Sequence, residues 1–188
     1  MKENIIDLFE SSPVIAAVKD ENGIDVAVAS QARIVFLLCG NICNIESLVA
    51  KLKSANKKVM VHMDFIVGLN AKEISVDYIK NNTLADGIMS TKSMLLKRGK
   101  ELGLITGQRA FIFDSISFEN IKKQLLTFKP DFVEILPGTI TRVINDISHY
   151  TEVPIVAGGL LTNKKEIMDA FSAGASAIST TDYKLWEI

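Results

Sequence analysis

The sequence predicts an α/β protein: a single compact TIM-like (β/α)8 barrel with some shortened helices, spanning residues 1–188 as one domain. Three observations carry that expectation. Short apolar runs alternate with helical stretches at a pitch that suits parallel strands joined by crossovers. The runs are largely apolar, the first (PVIAAV) throughout, as strands buried on both faces are, which accounts for 48% hydrophobic residues. The last two runs end in Gly158-Gly159 and Ser179-Thr180-Thr181, and the loops after strands seven and eight of a closed barrel commonly hold phosphate. A doubly wound open sheet is the alternative. The chain is shorter than most such barrels, so some crossovers must be abbreviated.

Taken in order, residues 4–9 (NIIDLF) suggest a leading helix stopped by Ser11-Ser12-Pro13. PVIAAV (13–18) is the first strand, and the following DENGIDVAVAS has room for one or two helical turns. IVFLL (34–38) is the second strand. Residues 45–55 then place Ile45, Leu48, Val49 and Leu52 on one helical face. KVMVHMDF (58–65) is the third strand, and period-two alternation puts Met60, His62 and Asp64 on one side. A helix over 72–81, a fourth strand over 85–91, a helix over 92–102 and a fifth strand over 104–111 follow. A helix from 117 to about 128 leads to DFVEILP (131–137), and no helix is assigned between that strand and PIVAGGL (154–160). A helix over 163–171, the strand AISTT (177–181) and a short helix-like tail complete the chain.

Net charge is −1 and the isoelectric point is near 6.1, with mean hydropathy +0.24. This is unlike the strongly basic balance of proteins that coat nucleic acid, although a local basic face is compatible with it. No apolar run reaches the roughly 18 residues of a membrane span, and the acid-bearing N-terminus does not read as a signal peptide. A cytoplasmic protein without membrane association is expected. Cys39 and Cys43 stand in a C-x3-C spacing without neighbouring histidines. That is too few ligands for a zinc site, so no metal and no cofactor is expected and the thiols read as reduced.

Gly158, Gly159, Ser179, Thr180 and Thr181 form the candidate phosphate-binding set. Glycines admit close backbone approach, and hydroxyls with N–H groups at a helix start favour an anion. The same residues also read as turn glycines and a helix cap. Glu134 interrupts an apolar strand, and a buried carboxylate requires a partner; Arg109 or Lys92 is the candidate cation, and a ligand hydroxyl is the alternative. His62 and Asp64 form a second polar patch, either orienting ligand hydroxyls or acting as a base with its orienting partner; a core histidine satisfied by a backbone carbonyl is the plain reading. Ser90, Thr91 and Lys92 lie where the fourth strand meets its helix. Gln108 and Arg109 are adjacent in a strand and cannot both face inward. Lys97, Arg98, Lys100, Lys122 and Lys123 are candidate charges for RNA, with a solvated helix face as the alternative. His149 reads as a surface residue.

Several stretches together resemble the glycerol uptake operon antiterminator family, the GlpP-type regulators. They are VMVHMDFIVGL (59–69), DGIMSTKSMLLKRGKELGLITGQRAFIFDS (86–115), KPDFVEILPG (129–138), PIVAGGL (154–160) and GASAISTTDYKLWEI (174–188). The resemblance implies a barrel-shaped regulator whose effector is glycerol 3-phosphate. It further implies action on the mRNA leader of glycerol-catabolic genes, with no catalytic residue. Self-association into a homo-oligomer is left open. The competing function is a phosphate-binding barrel enzyme, an isomerase or lyase of a small sugar phosphate, with Asp64 or Glu134 as general base and Lys92 as a charge stabiliser or Schiff-base lysine. A family member that keeps the pocket without RNA binding is a third reading.

Overall fold

The computed structural model describes residues 5–187; the first residue of the leading helix expected from the sequence, Asn4, lies outside them. Eight parallel strands close in chain order: β1 (Val14–Val18), β2 (Ile34–Leu37), β3 (Lys58–His62), β4 (Gly87–Ser90), β5 (Ile105–Phe111), β6 (Phe132–Leu136), β7 (Ile155–Gly158) and β8 (Ala177–Thr180). Pairing of Val14 with Ile178 and Ala16 with Thr180 joins β8 to β1 and closes the barrel. The open-sheet alternative is thereby excluded. Helix α1 (Ile5–Ser11) precedes the barrel, and each crossover carries one helix: α2 (Asn22–Ala29), α3 (Ile45–Ser54), α4 (Glu73–Asn82), α5 (Ser93–Glu101), α6 (Ser115–Thr127), α7 (Thr141–Ser148) and α8 (Lys164–Ser172). The chain accommodates eight units because several helices are only about two turns long, α2 among them. A 3-10 segment, Tyr183–Glu187, forms the tail.

Alternation along the strands divides the apolar residues into two cores. Ile15, Ala17, Ile34, Phe36, Met60, Met89, Phe132, Val156 and Ala177 pack inside the barrel with Leu8 and Phe9 of α1. Their sequence neighbours, such as Ala16, Val35, Val61, Ile88, Val133 and Ile178, pack outward against the helices. The barrel floor is aromatic. Phe36 stacks on Phe132 at 5.5 Å between centroids, and Phe9 meets Phe132 edge-on at 5.6 Å. Gly107 of β5 makes this possible, because a Cβ there would overlap the Phe132 ring.

Two elements differ from the sequence reading. Helix α7 occupies a segment assigned no helix; Ile140, Ile144 and Ile147 recur at helical spacing, and Ile144 and Ile147 are fully buried. The third strand ends at His62, and Met63–Phe65 form a 3-10 turn in place of its expected last residues. Asp64 accepts hydrogen bonds from the end of β4, which bends the chain out of the ladder there.

Candidate functional site at the barrel mouth

Inward-facing polar residues of the strands, His62, Arg109, Glu134 and Ser179, collect at one place, the C-terminal end of the barrel. Glu134 lies on β6 one inward position above Phe132, and it is fully buried. Ser179 of β8 donates its hydroxyl to Glu134 Oε1 at 2.6 Å. Arg109 Nε of β5 stands 3.4 Å from Glu134 Oε2, the consequence of register pairing of Arg109 with Glu134. Burial pushes the Glu134 carboxyl above the usual carboxylate range, and the Arg109 charge and the Ser179 hydroxyl pull it back only in part. Of the two cations proposed for Glu134, Arg109 is therefore the partner. Lys92 is not: its ammonium pairs with Asp64 at 2.7 Å.

Arg109 takes the inward position and Gln108 the outward one, as alternation requires; Gln108 Nε2 bonds to Gln124 Oε1 of α6. The Arg109 guanidinium lies between two half-exposed rings, 5.4 Å from the centroid of Phe65 and 5.1 Å from that of Phe111, positions suited to cation–π attraction. Its Nε and Nη1, together with Glu134 Oε2, are buried without a hydrogen-bond partner among the described residues. The same holds for both ring nitrogens of His62, so no backbone carbonyl satisfies that histidine. The His62 ring stacks at a tilt on Phe65, 4.5 Å away. Burial, reinforced by the Arg109 charge, lowers the His62 pKa to about 3 despite Asp64 nearby. A neutral imidazole is the result.

Asp64 contrasts with these groups. It accepts from Ser90 Oγ at 3.1 Å, from the Thr91 N–H at 2.8 Å and Thr91 Oγ1 at 3.2 Å, and from Lys92 Nζ at 2.7 Å. Burial pushes its carboxyl up, but the bonds from Lys92 and Thr91 outweigh that and hold it below the usual range. His62 Nδ1 is 3.8 Å from Asp64 Oδ2, beyond hydrogen-bond reach. Ser90, Thr91 and Lys92 thus form one network with Asp64, set beside the unpaired groups.

A cavity of about 300 Å³ opens over Glu134 and Ser179. Its walls combine Arg109 with the loop after β7 (Gly159–Thr162) and the loop after β8 (Thr180–Asp182). A Cβ on Gly158 would stand 2.6 Å from Glu134 Oε1 and 2.7 Å from Ser179 Oγ, so only glycine leaves room for that bond. Gly159 and Leu160 are consecutive residues in the left-handed region, with φ of 72° and 59°, which turns the chain sharply at the cavity edge. Thr180 Oγ1 accepts from the Asp182 N–H at 3.1 Å, and the Thr180 carbonyl accepts from Trp186 Nε1 at 2.8 Å. Thr181 is exposed at the rim. The Thr162 N–H donates to Glu166 at 2.7 Å, so the start of α8 is already served by its own carboxylate. Leu160–Thr162, Asp182, Phe65 and Phe111 were not singled out from the sequence; they lie in loops, turns or strand ends where no periodicity marks them.

The candidate RNA-facing charges divide. Arg98 bonds to Asp77 Oδ1 at 2.6 Å and to Glu101 at 2.9 Å, tying α5 to α4. Lys100 donates to the Lys129 carbonyl at 2.6 Å, and Lys122 pairs with Glu119 at 3.2 Å. Lys97 and Lys123 are exposed. His149 is exposed at the end of α7, as expected. Cys39 is half-buried and Cys43 exposed; burial and the charges of Asp20 and Glu21 push the Cys39 thiol up to about 11, which makes it a poor nucleophile at neutral pH. Among the described residues no group of three or more His, Cys, Asp or Glu could hold a metal ion, and no helix is long and apolar enough to cross a membrane.

Comparison with known proteins places this chain in a family. The chain is 39% identical over 184 residues to "Uncharacterized protein YgcP" of Escherichia coli K12, covering 98% of this chain and 96% of that protein. A crystal structure of a glycerol uptake operon antiterminator-related protein from Thermotoga maritima superposes with a TM-score of 0.84 at 31% identity, over 94% of this chain and 99% of that one. The glycerol uptake operon antiterminator regulatory protein of Listeria monocytogenes shares the fold, with a TM-score of 0.89 at 24% identity over 92% of this chain and 94% of that one. With residues 14–186 matching its family-wide pattern, the chain belongs to the glycerol-3-phosphate responsive antiterminator family.

Proposed function

We propose that this protein is a glycerol-3-phosphate-responsive antiterminator that binds the mRNA leader of glycerol-catabolic genes in the cytoplasm. It acts through its effector alone, without a resident cofactor or turnover. The observation that carries the reading is the set of buried groups without hydrogen-bond partners at the mouth: His62, Arg109 and Glu134 Oε2. Unsatisfied buried polar groups are costly, and a small polyol phosphate would supply both acceptors and donors. The phosphate is assigned to the Gly158-Gly159 loop and to Ser179, Thr180 and Thr181. The glycerol hydroxyls are assigned to Glu134 and His62, with Arg109 facing the anion and Ser90, Asp64 and Lys92 framing the far side.

The enzyme reading has one observation in its favour, a buried carboxyl of raised pKa in a barrel mouth, the property expected of a general acid or base. Two features weigh against it. Asp64 is engaged by four donor groups, and Lys92 is bonded to Asp64 rather than lining the cavity. Thermal unfolding with glycerol 3-phosphate, glycerol and inorganic phosphate separates the readings. A ligand at about a hundred times its dissociation constant adds about 2.7 kcal/mol, a rise of several degrees for a domain of this size. Stabilisation by glycerol 3-phosphate alone, together with a ligand-dependent shift of leader RNA, is the expected result. Turnover of triose or hexose phosphates would transfer the assignment to an enzyme.

A further inference from the structure

Arg109 borders a second cavity as well as the first. On its other side, a space of about 240 Å³ lies between the end of β5 and α6, lined by Thr91, Phe111, Phe113, Ser117, Asn120 and Gln124 among others. Its composition differs from that of the mouth. Phe111 is 47% exposed and Phe113 81% exposed, so two large aromatic side chains face solvent at one lip. On the opposite wall, on α6, the Ser117 hydroxyl is engaged with the Asp114 carbonyl at 2.8 Å and Gln124 Oε1 with Gln108, whereas the exposed Asn120 has no side-chain bond to any other described residue. The acid at this lip, Asp114, is engaged as the N-cap of α6, accepting from the Ser117 N–H at 2.7 Å. Lys92 stands next to Thr91 on the β4 side with its chain half-exposed.

We propose that this second cavity receives an unpaired base of a single-stranded RNA, and that Arg109 couples its occupancy to that of the mouth. The proposal rests on the antiterminator reading. The chemistry is that of single-strand recognition: aromatic faces take up a base by stacking, while the Asn120 amide meets its polar edge. Arg109 and Lys92 stand beside the cavity in ion pairs with Glu134 and Asp64, so stacking rather than phosphate contact carries the recognition, in keeping with a chain of net charge −1. Coupling follows from the shared wall. Arg109 is held by Glu134 at 3.4 Å and by the Phe65 and Phe111 rings, so an anion in the mouth that draws the guanidinium inward changes what Phe111 presents outside. Such coupling must be reciprocal: RNA tightens glycerol 3-phosphate by the factor with which glycerol 3-phosphate tightens RNA.

The test uses the full chain with a randomised single-stranded RNA pool, oligoriboadenylate and oligouridylate as probes, each with and without saturating glycerol 3-phosphate. Binding is read by fluorescence anisotropy, and the ligand-induced rise in melting temperature is measured in parallel. Phe113→Ala is expected to weaken RNA binding by about tenfold, the effect of losing one base stack, while the melting rise with glycerol 3-phosphate stays intact. Leu126→Ala, which removes an equally exposed apolar side chain from α6 outside the cavity, is expected to leave RNA binding unchanged. Equal RNA affinity of Phe113→Ala and the parent chain overturns the proposal and leaves the antiterminator reading standing. Failure of the parent chain to bind any probe, with or without glycerol 3-phosphate, overturns both. Competition by AMP or UMP as strong as that by the oligonucleotides also overturns it, assigning the cavity to a free nucleotide.

Discussion

The floor and the mouth of this barrel are built on the same strands and differ by a single inward step. On β6 the step runs from Phe132 to Glu134, on β5 from Gly107 to Arg109, on β3 from Met60 to His62, and on β8 from Ala177 to Ser179. Below, the aromatic rings of Phe9, Phe36 and Phe132 fill the interior against one another. Above, a carboxyl, a guanidinium and an imidazole are buried with atoms left unpaired. The lower layer is close-packed and gains from burial. The upper layer carries the cost of desolvated polar groups, which natural proteins keep where a ligand meets them. If the mouth takes up the effector as proposed, stability and binding are separable along the barrel axis, and substitutions at the two levels should behave differently.

The largest effect is expected at the floor. Phe132→Ala removes the ring that joins Phe9 to Phe36 and leaves a cavity no neighbour fills, at a cost of about 3–5 kcal/mol. Chemical denaturation should show that loss, while the melting rise on adding glycerol 3-phosphate persists in whatever protein remains folded. Loss of the ligand response in folded Phe132→Ala protein would break the separation.

An intermediate effect belongs to Gly158→Ala. The added methyl collides with the Glu134–Ser179 bond, so overpacking costs about 1–3 kcal/mol and the response to glycerol 3-phosphate disappears. Ligand titration by calorimetry would read this directly; retained affinity would show that the Glu134–Ser179 pair lies apart from the effector.

The smallest effect at neutral pH, one that appears only in acid, is a pH dependence at His62. Its pKa in the folded chain is lowered from 6.5 to about 3, so unfolding takes up a proton between those values. The stabilising contribution is complete above pH 6.5 and is lost as pH falls towards 3, with a slope of up to about 1.4 kcal/mol per pH unit. His62→Gln removes that slope. Between pH 6.5 and 3 the denaturant midpoint of the parent chain should fall more steeply than that of the variant, and above pH 6.5 the difference between them should stay constant; identical acid profiles would show that His62 is not buried as a neutral ring.

Much of this was legible in the chain itself. Parallel strands covered on both faces are near-continuous apolar runs, so all eight could be read despite their polar residues, and the eight-unit count with its closing loops pointed to a barrel. Polar intruders in those runs, Glu134 and His62, were conspicuous for the same reason. Helix α7 escaped because its apolar residues, Val143, Ile144 and Ile147, are few in a short polar segment and its N-cap, Ile140, has no capping side chain. Asp64 was read as a strand residue because alternation continues through it, whereas its bonds to Thr91 and Lys92 come from another strand's end.

The sequence by itself determined which residues could be buried, through hydrophobic period and composition, and hence the strands, the barrel and the family motifs. Only the tertiary structure decided which polar groups meet. Arg109, not Lys92, faces Glu134 because register pairs β5 with β6 at those residues, and Ser179 reaches Glu134 across the barrel because Gly158 leaves the intervening space open. Register and closure are properties of strands brought together from distant parts of the chain. No local pattern encodes them, since each depends on how every other strand is tilted and filled.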